Sequence, residues 1–144
     1  MSDVRVYEPT EVTPALLAAM RALVPLLSSS APPLTETSLA AILASPGARL
    51  LVAERDGAIV GTLTLVLFAI PSGVRGLIED VIVDERARGR GIGEALTRAA
   101  LDLARAAGAR TVDLTSRPTR EAANRLYLRV GFVRRETNAY RFTL

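Results

Sequence analysis

The stretch Val81–Leu96, VIVDERARGRGIGEAL, decides how the chain is read. A β-branched apolar run and two acids lead into Gly89, Gly91 and Gly93, which alternate with Arg90 and Ile92 before an apolar, helix-like tail. A strand that becomes a helix across glycines presents unpaired amide N–H groups and the positive end of the helix dipole, and bare backbone lets an anion come close. Arg88 and Arg90 flank that point. The stretch predicts a site for phosphate groups at a strand-to-helix turn.

Composition narrows the chemistry. The 144 residues, 49% hydrophobic and 23% charged, suit one folded domain spanning 1–144. The absence of Cys and His excludes disulfides, a thiolate nucleophile and a zinc–thiolate site, and removes the usual general base and commonest metal ligand, so no metal is expected. Catalysis would have to use carboxylates, Tyr, hydroxyls and backbone amides. Met1–Thr13 lacks the regions of a signal peptide, and the most apolar stretch, Ile59–Ile70, carries Thr62 and Thr64 and stops at Pro71. A cytoplasmic protein with no membrane association is the expectation. All 18 basic residues are arginine; residues 1–72 hold four against six acids, whereas residues 73–144 hold fourteen against nine, so the second half faces anions. With no long basic run, three Tyr, three Phe and no Trp, stacking platforms for nucleic acid are scarce, and a compact, highly charged small molecule fits better.

Val4–Pro9 reads as a first strand, and Thr13-Pro14 opens a helix to about Leu27, with Thr as cap and Pro in the first turn. After SSSAPPLT, a second helix covers Glu36–Ala44. Asp56-Gly57 between the apolar runs Arg49–Arg55 and Ala58–Ile70 predicts a hairpin. Arg75–Val83 is the next strand, and Leu77–Val83, Ile92–Ala107 and Thr111–Thr115 then form a βαβ unit. Ile92, Leu96, Ala99, Leu103 and Ala107 recur at helical spacing, and Gly108 stands where a left-handed cap belongs. Arg120–Val130 is a further helix, turning Ala123, Leu126 and Val130 inward, with Thr119 as its candidate cap and Gly131 at its end. The tail, FVRRE and AYRFTL around Thr137-Asn138, reads as a closing hairpin.

Two phosphate-binding loops fail against these residues. A Walker loop needs a lysine, and the chain has none. A dinucleotide fingerprint needs Gly or Ala at position 94, where Glu94 stands, although Asp113 lies where a ribose-binding acid would. A nucleotide-binding oxidoreductase is therefore the weaker alternative. The run Arg88-Gly89-Arg90-Gly91-Ile92-Gly93 resembles the pyrophosphate loop of the GNAT superfamily of acyl-CoA-dependent N-acetyltransferases, preceded by the right strand and followed by the right helix. Asn124-Arg-Leu-Tyr127-x-x-x-Gly131-Phe132 is similar to that family's C-terminal motif.

The resemblance implies a mixed α/β (α+β) GNAT fold, with a central twisted mixed sheet of about six to seven strands flanked by about four helices. It implies acetyl-CoA as acyl donor, with pyrophosphate on Arg88, Gly89, Arg90, Gly91, Ile92, Gly93 and Glu94. Backbone groups of Val81, Ile82 and Val83 would bond pantetheine as a neighbouring strand would, and a strand N–H of Val81 or Ile82 would meet the developing oxyanion. Asn124 would contact pantetheine, and Tyr127 would reach the thioester sulfur. In LIEDVIV, Glu79 and Asp80 interrupt an apolar strand, and strict alternation would turn one of them into the helix-covered core. The family's use of a carboxylate or an ordered water there favours Glu79 as base, with Asp80 second; an ion pair with a nearby Arg is the structural alternative. The acceptor implied is a primary amine of a small molecule or peptide, walled by the first two helices and the SSSAPPLT link. The resemblance leaves room for a homodimer and for a noncatalytic acyl-CoA sensor.

Overall fold

Asp56 and Gly57 both adopt positive φ, 52° and 78°, the geometry of a two-residue hairpin turn that matches strand twist. They join β2 (Ala48–Arg55) to β3 (Ala58–Ile70). The computed structural model describes residues 3–144. Its five-stranded sheet runs β1 (Arg5–Tyr7), β2, β3, β4 (Gly73–Val83), β5 (Thr111–Asp113). Neighbours are antiparallel except β4 and β5, which the crossover helix α3 (Ile92–Ala106) makes parallel. This mixed sheet is not the parallel sheet of a doubly wound nucleotide fold.

Helix ends follow local chemistry. α1 (Pro14–Leu27) starts where the Thr13 Oγ1 accepts the Leu16 N–H at 3.1 Å. α2 (Glu36–Ala44) starts at a capping box in which Thr35 and Ser38 satisfy each other's backbone N–H. Both cover one face of the sheet, where Leu16, Met20, Leu39, Leu50 and Val52 form a core. On the other face α3 contributes Ile92, Leu96, Ala100 and Ala104 against Leu51, Ala53, Leu63, Leu65 and Ile78. Successive β2 residues from Leu50 to Ala53 thus enter opposite cores, as the pleat requires. Leu96 is fully buried, so Leu96→Ala is expected to cost about 2–5 kcal/mol, read as a lower urea midpoint; an unchanged midpoint would contradict this packing.

Three expectations are corrected. The sheet has five strands, fewer than expected, because the closing hairpin is absent: residues 132–144 hold no strand, and Val133, Tyr140, Phe142 and Leu144 stand 83%, 90%, 87% and 112% exposed. β5 stops at Asp113, two residues short of the predicted end. α4 (Glu121–Val130) starts at Arg120 with no side-chain cap bond, so Thr119 does not cap it.

Candidate functional site

The loop after β4 is built to leave its amides free. Asp84 caps a single 3-10 turn, Glu85–Ala87, and Ala87 is buried beneath it. The chain then passes through Gly89 and Gly91 at φ 76° and 78° into α3. These left-handed conformations favour glycine, and a Cβ at either position would meet nothing within 4 Å. Gly91 caps α3 with no side-chain bond. Among the described residues, no acceptor meets the N–H groups from Gly89 to Glu94. Arg88 and Arg90 are exposed and make no ion pair among the described residues. A run of unpaired amides at a helix start beside two uncommitted guanidiniums fits a pyrophosphate.

Three members of the loop have other duties as well. The Ile92 side chain is buried in the α3 core, so only its backbone faces a ligand. Gly93 allows close packing, because a Cβ there would stand 3.2 Å from Leu126 Cδ2 on α4. Glu94 accepts from Arg98 Nε at 3.1 Å and from Arg129 Nε and Nη2 at 3.1 and 3.0 Å. Those bonds, Arg98 first and then Arg129, hold its carboxyl below the usual carboxylate range. The Glu94 charge is thus turned toward Arg98 on its own helix and Arg129 on α4.

β4 carries a bulge between the acids and the loop. Glu79 pairs with Thr64 and Ile82 with Thr62, so Asp80 and Val81 together oppose Leu63, and Asp80 takes φ 50°. The extra residue reverses the alternation. Before it Ile78 faces α3, and after it Val81 and Val83 do. Both Glu79 and Asp80 therefore escape that core and are exposed, which corrects the expectation that one of them would be buried. Glu79 lies in the cross-strand row Leu50–Thr64–Glu79, on the face that α1 and α2 cover.

On its other side β4 meets β5 only from Arg75 to Leu77. From Ile78 to Val83 that edge has no strand partner among the described residues, so the backbone of Val81, Ile82 and Val83 lines an open slot that begins at the bulge and ends at the loop. An extended, amide-bearing chain fits such an edge as an added strand. Beyond β5 the Ser116 Oγ is sealed from solvent with no hydrogen-bond partner among the described residues, a feature with no sequence signature.

α4 brings the second motif to this region. The Asn124 Nδ2 donates to the Arg117 carbonyl at 3.0 Å, fixing the link between β5 and α4. Tyr127 is 6% exposed and packs edge-on against Phe132, with ring centroids 5.7 Å apart. Gly131 makes that contact possible by turning the chain at φ 122°. Burial raises the Tyr127 phenol above its ordinary 10.0, with the nearby Arg120 charge opposing. No hydrogen bond to the Tyr127 hydroxyl occurs among the described residues, and the atom is not sealed from solvent.

Residues 17–132 match the family model described as the acetyltransferase (GNAT) family. The chain belongs to the GNAT acetyltransferase family. GNAT enzymes draw their acyl group from acetyl-CoA. Two curated relatives are acetyltransferases. The glucosamine 6-phosphate N-acetyltransferase 1 of Oryza sativa subsp. japonica is 36% identical over 115 residues, 73% of this chain and 68% of that protein. The mycothiol acetyltransferase of Sanguibacter keddieii is 36% identical over 107 residues, 70% of this chain; the match spans only 34% of that relative's length. An acetyltransferase of Trypanosoma brucei, solved by crystallography, superposes with a TM-score of 0.81 at 29% identity, covering 99% of this chain and all of that one, 100%. The GNAT fold is thus present here, with the mixed sheet, the β4 bulge and the glycine loop following one another along the chain.

Proposed function

We propose that the protein transfers an acetyl group from acetyl-CoA to a primary amine of a small molecule, by direct attack within a ternary complex. The observation that carries this reading is the continuity of the unpaired β4 edge, Ile78–Val83, with the free amides of Gly89–Glu94. An extended pantetheine arm needs the first, and a pyrophosphate needs the second. Acetyl-CoA supplies an activated acyl group; the chain supplies position and charge. Arg88, Arg90 and the loop amides hold the pyrophosphate, and Val81–Val83 align the arm. At the bulge, where Asp80 and Val81 together oppose Leu63, a backbone N–H of Val81 or Ile82 meets the negative charge developing on the acyl oxygen.

Glu79, exposed beside the bulge, accepts the amine proton, and Asp80 is the second choice. Tyr127 donates to the departing sulfur. A phenol of ordinary pKa lies above a thiol by enough to make full proton transfer uphill by roughly 2 kcal/mol. Burial raises Tyr127 further, so it acts as a hydrogen-bond donor that keeps its proton. The names of the relatives support a small amine acceptor, a hexosamine phosphate in one case.

The test is thiol release from acetyl-CoA in the presence of amino acids, polyamines, amino sugars, aminoglycosides and peptide N-termini. Amine-dependent release with at least one class is expected. Tight acetyl-CoA binding with no release across the panel would leave a noncatalytic sensor.

With the amine so found, Glu79→Gln is expected to lose most activity at low pH, where the acceptor is protonated. Activity should recover as rising pH supplies neutral amine without help. A profile parallel to wild type from about pH 6 to 10, a window set by reference amine and carboxylate values, would remove Glu79 from proton transfer.

A further inference from the structure

The sheet face that carries Glu79 continues past it as an apolar ladder that neither core uses. Register sets Thr64 opposite Glu79, Val66 opposite Leu77 and Phe68 opposite Arg75, with no irregularity between these pairs, so their side chains share one face. Leu65 and Ile78, which alternate with them, fill the α3 core on the other face. Val66, Leu77 and Phe68 take no part in either core; the first two are half-buried, and Phe68 is 38% exposed. α1 lies over β3 and β4 on this face. It starts beside the β2–β3 turn, where Thr13 and Leu16 line a hollow with Gly57 and Ile59. Its 14 residues span about 20 Å, and β3 covers about the same length from Ala58 to Thr64. A helix laid along β3 thus ends level with Thr64 and Glu79, and its last residues, Leu26 and Leu27, are 45% and 43% exposed. Residues 22–35 and Ala58–Ile70 contain no charged residue. Arg21, just before the first run, is tied to the Leu34 carbonyl at 2.8 Å. Arg75 stands about 13 Å along β4 from Glu79 and donates to Ser72 Oγ at 3.1 Å.

We infer that the acceptor is a primary amine joined to an apolar body, an arylalkylamine, bound with its nitrogen at Glu79 and its body along Leu77, Val66 and Phe68 under the Leu26–Leu27 end of α1. This inference rests on the acetyl-transfer reading and names its substrate class. A carboxylate at one end and an uncharged apolar wall beyond it complement the two ends of such a molecule. A polyamine or an aminoglycoside would bring further cations to a wall that holds no carboxylate to pair them, and each would lose water without compensation. A sugar phosphate would need a cation close to the amine, whereas Arg75 lies at the far end of the ladder and is already engaged by Ser72.

Steady-state acetylation of 4-phenylbutylamine, ethanolamine, spermidine and glucosamine 6-phosphate tests it. Wild-type kcat/KM for 4-phenylbutylamine is expected to exceed that for each of the others by about 10- to 100-fold, the range for burying one large apolar group. Phe68→Ser and Leu27→Ser, both at partly exposed positions, are each expected to raise KM for 4-phenylbutylamine and to narrow its advantage over ethanolamine by about fivefold or more. A preference for spermidine or glucosamine 6-phosphate, or an advantage that survives both substitutions, would overturn the inference and leave the acetyl-transfer reading standing. If no amine is acetylated, that reading falls, and calorimetric titration of 4-phenylbutylamine into the CoA-saturated protein decides the rest. Affinity lowered by Phe68→Ser supports the apolar amine site, and no binding refutes it.

Discussion

Tyr127→Phe is expected to lower kcat by about 10- to 100-fold, the loss of one hydrogen bond to a charged group worth roughly 1.5–3 kcal/mol, while acetyl-CoA affinity stays within about twofold. The ring is what packs, because the edge-on contact with Phe132 at 5.7 Å needs no hydroxyl. The hydroxyl, which has no hydrogen-bond partner among the described residues, is the group proposed to donate to the leaving sulfur. The pH dependence follows from the raised phenol. A folded-state pKa above the unfolded value means the neutral form is favoured by folding; that stability is complete below the unfolded value of about 10 and is lost as pH rises through the folded value. The kcat ratio of wild type to Tyr127→Phe should therefore be flat below pH 10 and narrow only above it. Steady-state kinetics across pH with calorimetric affinities checks both parts. Wild-type turnover in the variant would remove Tyr127 from the chemistry.

Arg88→Ala and Arg90→Ala are each expected to weaken acetyl-CoA by about 10- to 100-fold, the range for one desolvated charge-assisted bond, and together by more than either alone. Neither side chain makes an ion pair among the described residues, so their removal leaves the fold untouched and Tm without ligand unchanged. Gly91→Val tests the backbone instead. At φ 78° with nothing within 4 Å of the new Cβ, the substitution has room but carries strain of roughly 1–2 kcal/mol. Its side chain would project into the space beside the free amides. Affinity should fall by more than strain alone accounts for. Equal loss for acetyl-CoA and dephospho-CoA would place the effect on the pyrophosphate rather than the 3′-phosphate.

Much of the scaffold was legible because local chemistry decides it. Asp56-Gly57, the Thr13 start and the spacing of Ile92 and Leu96 each specify their element with little help from the rest of the chain, although the same spacing pointed to Ala99, Leu103 and Ala107 where Ala100 and Ala104 are the buried positions. The glycine loop was equally plain, since Gly89 and Gly91 adopt left-handed conformations that favour their type. What escaped depends on tertiary placement. A bulge is a mismatch between two strands, and nothing in LIEDVIV says that Leu63 will face two residues rather than one. That single mismatch brings both Glu79 and Asp80 out of the core. Gly93 read as part of the phosphate loop, yet its small size also admits Leu126 from a helix far along the chain. Glu94 pairs with Arg98 one turn along its own helix, but only folding brings Arg129 from α4 onto the same carboxylate. The tail misled for the opposite reason: AYRFTL has the alternation of a strand, but residues 132–144 hold none.

The most direct test of the groove is calorimetric titration of acetyl-CoA into the wild-type chain, with NADPH as the competing dinucleotide. One-to-one acetyl-CoA binding that is lost in the Arg88→Ala, Arg90→Ala double variant, with no heat from NADPH, is the predicted result. Binding of NADPH in place of acetyl-CoA, or acetyl-CoA affinity unaffected by loss of both arginines, would contradict it.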